Sequence, residues 1–216
     1  MQSPNHRAQS TEEYIAELKE ALGRNPDCGT THYNLAVALI RQGALDEAVH
    51  ELKEAIQSSP TLAEAYVDLG GIYFQKGDLE GCIRLNQEAL KVRPRFSVPY
   101  GNLGFAYLQQ GEVEEAVQSL EKAVAFNAQF IQAWATLGSA YFMQGRLDDS
   151  IGASQKVLSM APTFAVAHNN LALAYFEKGD FQAAVHHCDL AGTYGFAVDP
   201  RFLEIIAPYR SPSDRS

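Results

Sequence analysis

The sequence predicts an all-α solenoid of stacked antiparallel helix pairs, and three observations carry that prediction. One pattern of apolar, small and glycine residues recurs five times, opening at Gly29, Ala63, Ser97, Ile131 and Ala165, each 34 residues after the last without an insertion. Within each unit, apolar residues recur at helical spacing on both sides of a single glycine, the mark of a helix, a turn and a helix. A proline closes three of the units (Pro60, Pro94 and Pro162), with Ala128 and Phe196 in the same place in the others. A chain of this kind grows by stacking units rather than by enlarging one core, so 216 residues need not imply a globular domain.

Taken in order, residues 1–9 carry Ser3, Pro4 and Asn5 without periodicity and read as a loose arm. Residues 10–28 read as an N-terminal capping helix. Ser10 and Glu13 have capping-box spacing, and Tyr14, Ile15, Leu18, Ala21 and Leu22 form an apolar stripe that stops before Asn25-Pro26. Full units are expected at 29–62, 63–96, 97–130, 131–164 and 165–198. Their seventh and eighth places read Leu35-Ala36, Leu69-Gly70, Leu103-Gly104, Leu137-Gly138 and Leu171-Ala172. The eleventh place reads Leu39, Tyr73, Tyr107, Tyr141 and Tyr175, and the turn glycine is Gly43, Gly77, Gly111, Gly145 and Gly179. Two small-residue columns follow in the second helix, Ala48, Cys82, Ala116, Ser150 and Ala184, then Ala55, Ala89, Ala123, Val157 and Ala191.

Small residues let two antiparallel helices approach, and Leu and Tyr fill the space beside them. Glycine adopts the left-handed turn after the first helix, and proline stops the second. Beyond Gly195 the pattern ends. Asp199-Pro200 supplies an N-cap and a first-turn proline for a short helix bearing Phe202, Leu203, Ile205 and Ile206. Residues 199–210 therefore read as a C-terminal capping helix and 211–216 as a tail.

The period and the columns together resemble the tetratricopeptide repeat, over residues 10 to 195. The resemblance implies a right-handed α-solenoid of five full repeats between capping helices. It implies a non-enzymatic interaction module whose first helices line a concave groove, where a peptide or protein segment binds, with the chain acting as scaffold or adaptor. Carried over place by place, the sixth column of the groove reads Asn34, Asp68, Asn102, Thr136 and Asn170. Asn and Asp are poor helix-interior residues, so the column has two readings. One is a carboxamide ladder holding an extended peptide backbone, similar to that in the repeat domain of O-linked N-acetylglucosamine transferases. The other is bridging between neighbouring helices.

The twelfth column reads Ile40, Phe74, Leu108, Phe142 and Phe176, either a partner-facing apolar stripe or inter-repeat packing. Gly71 and Gly101 each cost a helix about 1 kcal/mol relative to alanine. On the groove side they are expected to hollow a pocket walled by Phe74, Phe105 and either Tyr33 or Leu108, which takes an apolar anchor. The candidate peptide-binding residues are thus Tyr33, Asn34, Asp68, Gly71, Phe74, Gly101, Asn102, Phe105, Thr136, Phe142 and Asn170.

A net charge of −9 and a pI near 5.1 argue against nucleic acid and anionic membranes as partners. The basic clamp by which related chaperone co-factors hold acidic tails is missing, since its places hold Tyr33, Glu64, Asp68, Val98 and Asn102. Arg41 set against Glu64, Asp68 and Glu177 suits a neutral or mildly basic segment with an apolar anchor. No apolar run approaches the roughly 20 residues of a membrane span, and residues 1–10 lack a hydrophobic leader. Cys28, Cys82 and Cys188 have no short spacing and fit a reducing compartment, so a cytoplasmic location is expected.

Phosphate-loop, zinc-protease and nucleophile-elbow motifs are absent, and no catalytic residue, metal or cofactor is expected. His186-His187-Cys188-Asp189 is the densest constellation. It reads as two surface histidines and a buried thiol, because a helix cannot aim successive residues at one ion. Two rival roles remain open at this point: self-assembly into homo-oligomers through the end helices, and regulation of a separate enzyme.

Overall fold

A computed structural model describes residues 10–210. Among the described residues the secondary structure is entirely helical. A capping helix, α1 (Thr11–Arg24), comes first. Five helix pairs follow, α2 (Gly29–Gln42) with α3 (Leu45–Ser58), α4 (Ala63–Gln75) with α5 (Leu79–Val92), α6 (Ser97–Gln110) with α7 (Val113–Phe126), α8 (Ile131–Met143) with α9 (Leu147–Met160), and α10 (Ala165–Glu177) with α11 (Phe181–Thr193). A short helix, α12 (Pro200–Ile206), and a 3₁₀ turn (Ala207–Tyr209) close the chain. The first helix of every pair begins on the residue that opens the 34-residue period. No helix among the described residues is long and apolar enough to cross a membrane. The N-terminal arm and the tail expected from the sequence lie outside the described residues.

Two compact units divide the chain, Met1–Asn102 and Leu103–Ser216. In the first, α1 packs on α2, α2 on α3, α3 on α4 and α4 on α5. Its core takes Ile15 and Leu18 from the cap together with Leu35, Leu39, Leu52 and Leu69 from the repeats. In the second, α7 packs on α8, α8 on α9, α9 on α10 and α10 on α11, with α12 against α11.

The local chemistry explains the boundaries. Ser10 caps α1 in a reciprocal capping box with Glu13, the two bonds measuring 3.1 and 3.0 Å. Each turn glycine of the five pairs has φ between 73° and 82°, at Gly145 and Gly43 respectively. The amide that follows each of them bonds back to the eleventh-column carbonyl, as Asp78 N–H does to Tyr73 at 2.9 Å, closing the helix in a Schellman turn. The small residues act as the packing reading requires. A Cβ built on Gly104 would fall 2.4 Å from Leu120 Cγ, and one on Gly70 would fall 2.6 Å from Asn86 Nδ2.

The fourth place of each repeat holds a device that hydropathy does not register. His32, Tyr66, Tyr100, Trp134 and His168 differ in size and charge, yet each carries a ring-borne N–H or O–H. Each bonds the backbone carbonyl six residues upstream, Pro26, Pro60, Pro94, Ala128 and Pro162, at 2.7, 3.2, 3.2, 3.0 and 3.0 Å. Those carbonyls lie just past a helix end, where the backbone has no intrahelical partner. The column thus ties every pair to the loop that precedes it.

Candidate functional site

In the first unit, α2 and α4 bring Tyr33 and Asp68 together, the Tyr33 hydroxyl close enough to act on the Asp68 carboxylate. Burial holds the Asp68 carboxyl above its ordinary range. The Tyr33 bond opposes that shift, and the negative charge of Glu64, one turn earlier on α4, adds to it. Burial, then the charge of Asp68, raises the Tyr33 hydroxyl. Glu64 is engaged by Arg93 at 2.7 Å. The groups that shift Asp68 are the Tyr33 hydroxyl and the Glu64 charge, and neither is a cation.

One turn beyond Asp68, Gly71 faces open space, and a Cβ built there meets nothing within 4 Å. Phe74, on the same helix, is half-buried. Beside α2 a hollow of about 310 Å³ is lined by Ser10, Thr11 and Tyr14 of α1 and by Asn34, Val37 and Arg41 of α2. Asn34 therefore opens onto the surface, as the ladder reading requires.

Asn170 is buried, and Asn102, half-buried like Asn34, is engaged by a neighbouring helix. Asn102 Nδ2 donates to Asn86 Oδ1 at 3.0 Å, and the fully buried Asn86 donates in turn to the Cys82 carbonyl at 2.8 Å. Asn170 is buried in the second unit, donates to the Ala135 carbonyl at 3.0 Å, and accepts from the Ser139 hydroxyl at 3.0 Å. Both amides bridge helices, Asn170 through donor and acceptor at once and Asn102 through its donor. That commitment, of both Asn170 groups and of the Asn102 amide nitrogen, favours the bridging reading of the column. Thr136 is half-buried, and its hydroxyl bonds back to the Gln132 carbonyl of its own helix at 2.9 Å.

The apolar column divides similarly. Ile40 packs against the core of the first unit. Phe176 meets Phe202 and Tyr209 edge-on at 5.6 and 6.0 Å, so it serves the C-terminal cap. Phe142 on α8 and Phe105 on α6 are half-buried. Gly101 is buried, so of the two groove-side glycines only Gly71 is seen to open onto free space.

The constellation at 186–189 resolves into separate pieces. Cys188 is buried, as expected, and burial raises its thiol. Asp189 pairs with Arg210 in a forked contact, one arm at 3.0 Å. His186 is exposed, and His187 is half-buried, stacking between His168 and Tyr175. Among the described residues no group of three or more His, Cys, Asp or Glu side chains is placed to hold a metal ion.

Comparison with known proteins agrees with this architecture. The family model of the cilia and flagella-associated protein 70 C-terminal domain, a tetratricopeptide-repeat family, matches residues 8–186. No curated protein matches the sequence. Among solved structures, MamA is 26% identical, with a TM-score of 0.66 over 74% of this chain and 94% of its own. YrrB, described as a tetratricopeptide-repeat protein with an unusual peptide-binding site, is 20% identical, with a TM-score of 0.73 over 91% of this chain and 100% of its own. PilF of Pseudomonas aeruginosa is 19% identical, with a TM-score of 0.79 over 92% of this chain and 90% of its own. YrrB and PilF share the fold.

Proposed function

The chain belongs to the tetratricopeptide-repeat family of the cilia and flagella-associated protein 70 C-terminal domain, and on that premise we propose that it is a non-enzymatic interaction module, a scaffold or adaptor that holds a protein segment against its first helices. The observation that carries the reading is the pairing of Asp68 with the free space at Gly71. A half-buried carboxylate stabilised by one hydroxyl attracts a cation, because a charge-assisted bond in a partly desolvated site is stronger than one in water. Open space one turn away admits a large apolar side chain. The segment therefore carries Lys or Arg close to an apolar anchor, and its charge complements a chain of net charge −9. An acidic chaperone tail is the wrong sign for this surface. YrrB, of the same fold, is described as having a peptide-binding site, which supports a binding role in kind.

Selection of random peptides on the immobilised full chain, followed by calorimetry of the winners, tests this function. The enriched peptides are expected to share a basic residue beside a bulky apolar one. Gly71→Leu, which fills free space without touching the core, is expected to weaken them at least tenfold, about 1.4 kcal/mol. Asp68→Asn is expected to weaken them by a similar factor and to flatten the salt dependence. Peptides that bind both variants as tightly as the parent chain would place binding elsewhere.

A further inference from the structure

The first and last repeats put different partners at the same two places. In the first, His32 on α2 faces Glu51 on α3, Nδ1 to Oε2, at 2.6 Å. In the last, His168 on α10 faces His187 on α11, Nδ1 to Nδ1, at 3.0 Å. Both pairs are 19 residues apart, and in both the other ring nitrogen of the first histidine, Nε2, is bound to a backbone carbonyl. A carbonyl only accepts, so Nε2 carries a proton in each case. The remaining nitrogen then fixes the charge state. A carboxylate also only accepts, so His32 is an imidazolium, held by Glu51 and Pro26. His168 needs a donor or an acceptor on Nδ1 according to its own charge, and His187 serves as either while at most one of the two rings is charged. Charging both rings would set two N–H groups against each other.

The surroundings keep the pairs in these states. Glu51 and Glu54 of α3 favour the charged His32, and its pKa is raised despite the opposing effect of burial. Around the histidine pair the facing groups are Tyr175 of α10, whose ring stacks on His187 at 5.7 Å, Tyr194 after α11, at 5.4 Å from His168, and His186 on α11. From α9, the neutral amide of Gln155 reaches the Tyr175 hydroxyl at 3.4 Å. None of the charges acting on His187 is a carboxylate. Burial, then the charges of His168 and His186, lowers it to about 4.

We propose that the His168–His187 contact is a proton-operated latch of the last repeat, closed while at most one of the two rings is charged and opened when both are, so that acid loosens α11 from α10 while the His32–Glu51 pair tightens the first repeat. The signs follow from linkage. His187, whose folded pKa is lowered, contributes stability that is present above its unfolded value of about 6.5 and lost as pH falls towards about 4. His32, whose folded pKa is raised, contributes stability that is complete below about 6.5 and lost as pH rises through its folded pKa. End repeats of a stacked array open independently of the middle, so each pair reports on its own helices.

Amide hydrogen exchange on the full chain, corrected for intrinsic rates, decides the matter. Between about pH 7 and about pH 5, protection of α10 and α11 is expected to fall about tenfold, while that of α2 and α3 holds or rises. His187→Gln, a neutral donor to His168, is expected to abolish the acid loss. His187→Glu, which copies Glu51, is expected to reverse it. Unchanged protection of α10 and α11 in the parent chain at the lower pH would overturn the latch, as would a full acid loss in the Gln variant. If circular dichroism shows the Glu variant unfolded at neutral pH, the Gln variant alone decides.

Discussion

A methyl group added at Gly70 and one added at Gly71 meet different surroundings. At Gly70 it would press on the Asn86 amide, which is held by the Cys82 carbonyl and by Asn102 and cannot swing away without breaking those bonds. At Gly71 it meets nothing within 4 Å. Gly70→Ala is therefore expected to destabilise the chain by about 1–3 kcal/mol, the usual cost of overpacking. Gly71→Ala is expected to stabilise it by about 1 kcal/mol, since alanine loses less conformational freedom in a helix. Urea unfolding of the two variants measures both, and a loss of stability at Gly71 would show that its apparent free space is filled. The packing role of Gly70 was legible in the sequence, because it fell in a packing column. The direction of an amide was not. Asn34, Asn102 and Asn170 occupy one column, yet Asn34 opens outward and the other two bridge helices. The difference lies in what the facing helix offers, Asn86 to one and the Ala135 carbonyl to the other.

At the scale of the helix pair, the columns gave the residue on which the first helix of each pair starts, but they passed over the fourth place. His32, Tyr66, Tyr100, Trp134 and His168 share a ring-borne donor rather than a size or a hydropathy, so no periodic apolar signal marks them. Their common function appears only when each is seen bonding the carbonyl six residues upstream. Tyr66→Phe and Tyr100→Phe delete that bond and keep the ring. Each is expected to cost about 1 kcal/mol, towards the low end for these half-exposed sites where water replaces the lost donor. Chemical denaturation compares them directly, and two silent substitutions would reduce the column to ring packing. The histidine constellation was read incompletely for a related reason. Counting along α11 showed that 186 to 189 cannot converge on one ion, but it could not show that His187 meets a partner on α10, 19 residues away.

Over the whole molecule, a stacked array repeats nearest-neighbour contacts, so one unbroken period makes the architecture readable while every repeat looks alike. The ends are where repetition stops and the sequence must do something else. The final pair shows how. α12 inserts Phe202 and Ile206 into a cluster with Ala172, Ala184, Val185 and Cys188. Phe176 and Phe181 close over it with Tyr209, whose ring stacks on Phe181 at 3.9 Å. Phe202 and Ile206 are 8% and 0% exposed, and burying each contributes roughly 1.5–3 kcal/mol. The face they cover belongs to α10 and α11, which in an inner repeat would be covered by the next pair. Replacing both by alanine in the full chain is therefore expected to do more than release a short helix. Amide protection in α11 should fall by at least a hundredfold, about 2.7 kcal/mol, while helices further from the end keep theirs. If α12 exchanges freely in that variant and α11 stays as protected as before, the last repeat is self-sufficient and the segment is no cap.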